Sequence, residues 1–186
     1  MQEYGIRREI YADGPGFMEC SYPLLQKAFH GCLMKIGGMG MAQVYKKGFN
    51  AEMVWGDLEN CCRSEAVCGE CKHGACVVGY AKKCVDDYLE EPKKVVPDGT
   101  ENVPIMDYKT FDEVELEIAI AHILKECKDC KGDHVDDCII NVIRNCYEVA
   151  LFGEMQPFEG STFQYLVRLE SEFPDKVAQI ASAYRG

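Results

Sequence analysis

Six cysteines fall between Cys61 and Cys84, spaced C-C-x5-C-x2-C-x4-C-x7-C, with His73 among them. Ordinary packing has no use for thiols at that density. A metal ion or cluster does, because short spacings let a few turns of backbone gather several thiolates round one centre. A C-x-x-C loop turns two sulfurs the same way, and a cysteine on the helix that follows supplies another. The expected ligands are therefore Cys61, Cys62, Cys68, Cys71, Cys76 and Cys84. A second group, C-x2-C-x7-C-x7-C, starts at Cys127 and adds Cys130 and Cys138, either to that centre or as one of its own. Cys20, Cys32 and Cys146 stay open between ligand and core residue. His73 and His134 sit inside the two groups and read as exposed or supporting donors more readily than as ligands.

Six local thiols exceed what one zinc takes, which favours an iron–sulfur cluster, with zinc as the alternative. The second C-x-x-C comes too far downstream for a zinc ribbon. No C-x2-C-x2-C-x3-C ferredoxin run is present, and Lys72 stands where a c-type haem site needs histidine. Arg63 follows the vicinal pair in place of the glycine of a CCG motif. A redox dithiol at Cys61-Cys62 or at either C-x-x-C lacks a βαβ frame. The glycines at 37, 38 and 40 meet Gln43 where a dinucleotide fingerprint needs a third small residue. No hydrolase or phosphate-loop motif occurs, so no reaction is assigned. Three functions follow: an iron–sulfur protein in electron transfer, or an accessory to an anaerobic redox enzyme, with a redox partner protein; a zinc-stabilised helical module that binds another protein; and a thiol-based metal carrier or redox sensor.

Composition narrows the setting. The formal charge of -11 repels nucleic-acid phosphates, and the basic residues come as isolated pairs. A hydrophobic fraction of 47% supports a folded core in 186 residues. The best apolar run, Leu116 to Leu124, is interrupted by Glu117 and His122, so no membrane span is expected. Without an apolar leader at the N-terminus the expected location is cytoplasmic, where twelve cysteines read as ligands rather than disulfides.

The elements that would position these thiols are mainly α-helical, with at most a small β element near the N-terminus, at Ile6 to Tyr11. A helix is expected from Ser21 through Ile36, continuing from Met41 to a cap at Gly48. Ala51 to Leu58, with Val54 and Trp55, reads as a strand or extended lead-in. A helix from Gly74 to about Glu90 stops before Pro92 and carries Cys76, Tyr80 and Cys84 on one face. The polar connection 93–109, with a turn at Pro97-Asp98-Gly99, separates an N-terminal half, 1–92, from a C-terminal half, 110–186, unless the whole is one domain. Thr110 with Glu113 forms a capping box for a helix that runs to about Cys127 and buries Leu116, Ile120 and Ile123. The next helix starts at Asp133 or His134 and ends at Gly153. Two more follow, from Ser161 or Thr162 to Glu172 with Phe163, Leu166 and Leu169 inward, and from Pro174 to Tyr184.

Overall fold

The computed structural model describes residues 48–63, 67–69, 73–129 and 135–186. The chain divides into two compact units, Met1–Gln43 and Val44–Gly186, and all described residues belong to the second. The expected N-terminal β element, the helices over 21–45, and Cys20, Cys32, Cys71, Cys130 and His134 lie outside the described residues.

Ala51, Val54, Leu58 and Cys61 recur at three- and four-residue steps, and all four are buried. That is a helical stripe, so the expected strand over Ala51 to Leu58 is instead part of α1, Ala51–Cys61. Asn50 decides the start: its side chain accepts from the Met53 N–H at 3.2 Å. Its own N–H donates to Glu126 Oε2 at 3.0 Å, which ties the head of α1 to the tail of a later helix. A short 3-10 turn, His73–Ala75, leads into α2, Val77–Glu90, which stops before Pro92 as expected.

The connection after α2 is stitched down rather than free. Val96 N–H donates to Asp137 O and Ile139 N–H to Lys94 O, both at 2.8 Å. This makes an isolated antiparallel bridge between Val95 and Cys138, and no strand forms among the described residues. The turn at Pro97-Asp98-Gly99 is present, closed by Gly99 N–H on Val96 O at 2.9 Å. Gly99 has no room for a side chain, since a Cβ there would lie 2.7 Å from Val142 Cγ2 and 2.8 Å from Val96 O. Its carbonyl also accepts from Tyr80 OH at 2.9 Å. Gly99→Ala is expected to cost about 1–3 kcal/mol by overpacking. A urea midpoint unchanged within about 0.5 kcal/mol would show that the turn yields instead.

α3, Glu113–Asp129, is capped by Asp112 and not by Thr110. The Asp112 carboxylate accepts from Val114 N–H at 3.0 Å and Glu115 N–H at 3.3 Å. A carboxylate one residue before the helix satisfies those amides directly, and the Thr110 carbonyl accepts from Arg63 Nε instead. α4, Ile139–Phe152, begins later than Asp133 or His134, with Cys138 at its N-cap, and ends as expected on Gly153 in a left-handed conformation. α5, Thr162–Glu170, turns Tyr165 and Leu169 inward and leaves Phe163 76% exposed, against expectation. α6, Pro174–Arg185, buries Val177 and Ile180.

Helices α1, α3, α4 and α2 pack in that cyclic order, each against two others, and α6 lies on α3 with α5 beside it. Eleven of the fourteen residues of α4 are buried, which makes it the central helix. Leu58, Leu116, Ile120, Leu124 and Ile143 are fully enclosed and form the centre of the core, each stabilising the fold by about 1.5–3 kcal/mol through burial. No described helix is long and apolar enough to cross a membrane.

Candidate metal centre

The described cysteines separate into two populations. Cys61, Cys84 and Cys146 are buried in the core. Burial, reinforced by the carboxylates of Asp57, Glu115 and Asp112, pushes the Cys61 thiol up to about 12. Burial likewise raises Cys84 to about 11, against a hydrogen bond from Tyr80 that pulls the other way. Cys146 is held well above the ordinary thiol value by burial, with the Cys84 and Cys76 sulfurs adding to it. These three are neutral thiols packed among apolar neighbours.

The second population is not enclosed, although Cys62, Cys127 and Cys138 pack against the edge of the core. Cys62 closes α1, its N–H donating to Leu58 O at 3.1 Å, and its side chain is half-buried. Cys68 is exposed, and Cys76 is half-buried at the N-cap of α2. The Cys76 Sγ accepts from Gly79 N–H at 3.2 Å. That bond caps the first turn of α2 with a sulfur in the place of the usual side-chain oxygen. The same helix end holds Asp107, whose Oδ2 accepts from Val77 N–H at 3.0 Å. Cys127, near the end of α3, and Cys138, at the head of α4, are half-buried. Cys138 makes no side-chain cap bond.

Cys62, Cys68 and Cys76 are thus not enclosed, Cys62 packing against the edge of the core and Cys76 following the 3-10 turn in sequence, while Cys61 and Cys84 sit in the core. His73 opens that turn. Among the described residues no three His, Cys, Asp or Glu side chains gather closely enough to hold a metal ion.

Two polar clusters escaped the sequence reading. His122 Nδ1 lies 3.0 and 3.1 Å from the two carboxylate oxygens of buried Asp57 and links α3 to α1. Burial raises the Asp57 carboxyl, with His122 pulling it back. In the sequence His122 showed only as a break in an apolar run. Deeper in, Glu148 Oε1 accepts from Arg144 Nε and from Tyr165 OH, both at 2.8 Å, and Oε2 accepts from Gln156 N–H at 2.7 Å. Arg144 also stacks 4.4 Å from the centre of the Phe158 ring. The i, i+4 spacing of Arg144 and Glu148 was the one signal available, and it marks surface pairs as readily as buried ones.

Compared with models of known protein families, with curated proteins and with solved structures, the chain matches none. What the described residues define is a mainly helical protein whose cysteines lie partly inside and partly outside its core.

Proposed function

We propose that this chain is a cysteine-ligated metalloprotein, whose centre is an iron–sulfur cluster held by Cys62, Cys68, Cys71 and Cys76 and used in electron transfer. The observation that carries this reading is Cys76 at the head of α2, its sulfur already accepting a backbone amide. Amide hydrogen bonds to ligand sulfurs are one of the ways a protein sets a cluster's potential. The exposure of Cys68 and half-burial of Cys62 and Cys76 support a centre near the surface, open to a redox partner protein.

Setting Cys61 and Cys84 aside as core residues leaves four thiols in the stretch, and that number favours a second reading. Four thiolates also complete a structural zinc site, which would make the chain a helical interaction module without catalysis. Anaerobic purification of the full chain with iron, zinc and acid-labile sulfide analysis separates the two. A brown protein bleached by dithionite supports the cluster, and a colourless protein with stoichiometric zinc supports the module. Metal-free protein after reconstitution with either would end both readings. Cys76→Ser is expected to lose most of the metal, whereas Cys84→Ala is expected to keep it. The reverse pattern would move the centre into the core.

A further inference from the structure

A groove of about 530 Å³ opens where the head of α5 meets the last turns of α3 and α6. That volume is within the range of small-molecule sites, which are apolar cavities with a few placed polar groups. Its apolar wall is Phe163, Leu166, Ala181 and Tyr184. Phe163 is the most telling of these, a large aromatic left 76% exposed on a helix whose inward face is supplied by Tyr165 and Leu169. Nothing in the described fold uses its ring.

The charge on the groove runs against that of the chain. Overall the chain carries -11, yet the described lining holds Lys128 and Arg185 and no carboxylate. Lys128 Nζ lies 5.9 Å from the centre of the Tyr184 ring, so this cation stands over the apolar wall itself. Apolar wall and adjacent cations together match a ligand that is apolar along its body and negative at one end. A neutral ligand would make no use of the positive charge at the groove, and a polyanion would make none of the aromatic wall.

We propose that this groove binds a small amphipathic anion, with a flat apolar body against Phe163 and Tyr184 and a single carboxylate, sulfonate or similar head between Lys128 and Arg185. Cys127 is part of the groove's lining, but Cys62, Cys68 and Cys76 are not, and the proposal does not rest on the metal reading.

Fluorescence titration of the full chain with anilinonaphthalene sulfonate tests it, with the uncharged phenylnaphthylamine as control. Saturable one-to-one binding of the sulfonate is expected, at least about tenfold tighter than the neutral compound. Lys128→Glu with Arg185→Glu should erase that preference, and Phe163→Ala should weaken both probes. All three positions are at the surface, so the urea midpoint should stay in place. Equal binding of the two probes, or charge reversal that changes affinity by less than about twofold, would overturn the proposal. So would sulfonate binding that survives Ala181→Trp, which fills the groove, or displacement by an acidic peptide but by no small anion.

Discussion

Alkylation of the reduced, metal-free chain at pH 8 is expected to label Cys62 and Cys68 quickly and to leave Cys61, Cys84 and Cys146 unmodified until the protein unfolds. The thiolate is the reacting species, and its population thins about tenfold for each pH unit by which the thiol is raised. Against an ordinary value of 9.0, Cys84 at about 11 and Cys61 at about 12 carry thiolate about a hundred and a thousand times less often. Burial adds the requirement that the fold open before reagent can enter. A time course read by peptide mass spectrometry checks this, and a Cys84 labelled as fast as Cys68 would mean that α2 is not packed as described. Loading the protein with metal should then protect Cys62, Cys68 and Cys76, leaving the slow set unchanged. The same elevation has a stability consequence of definite sign. A thiol kept neutral in the fold lets the unfolded chain release its proton first, so Cys84 lowers stability as pH climbs from about 9 towards 11.

Glu148→Ala is expected to destabilise the protein by about 3–5 kcal/mol, because it removes one partner of a buried ion pair and strands the other. Glu148 and Arg144 are almost wholly buried, and the lost carboxylate would also leave the Tyr165 hydroxyl and the Gln156 amide without their acceptor. Burial raises the Glu148 carboxyl, while Arg144, Gln156 and Tyr165 draw it back towards ionisation. Replacing both charges at once, Arg144→Met with Glu148→Leu, should cost much less than the single change, since no charge is then left unpaired. Urea denaturation of the three proteins provides the comparison. A single change that costs less than about 1 kcal/mol would show that water reaches the pair.

The helical character of the chain was legible because most of its helices are amphipathic or entirely apolar on one side. The end of α2 before Pro92, the Gly153 terminus of α4 and the Pro174 start of α6 follow from local chemistry at single residues. Three misreadings share a cause, which is competition between plausible local signals. Val54 and Trp55 have strand propensity, but the Asn50 cap and the stripe through Leu58 prevail. Thr110 made a good cap in sequence, yet Asp112 stands closer to the amides that need one. Phe163 looked like a core residue, and Tyr165 displaced it because its hydroxyl reaches Glu148. The candidate site was legible as a density of thiols. Which thiols belong to the core was not, since Cys61 and Cys62 are neighbours in sequence and differ only in where the last turn of α1 points them.

The network round Glu148 also imposes an order on the making of this protein. A nascent chain that has emerged as far as Gly153 already contains Arg144 and Glu148, but neither Gln156 nor Tyr165. The central helix therefore waits for material encoded after it before its charges are enclosed. Until α5 docks, Glu148 lacks the Tyr165 hydroxyl that completes its hydrogen bonding in the folded protein. The helices that follow α4 are in this sense the ones that complete the middle.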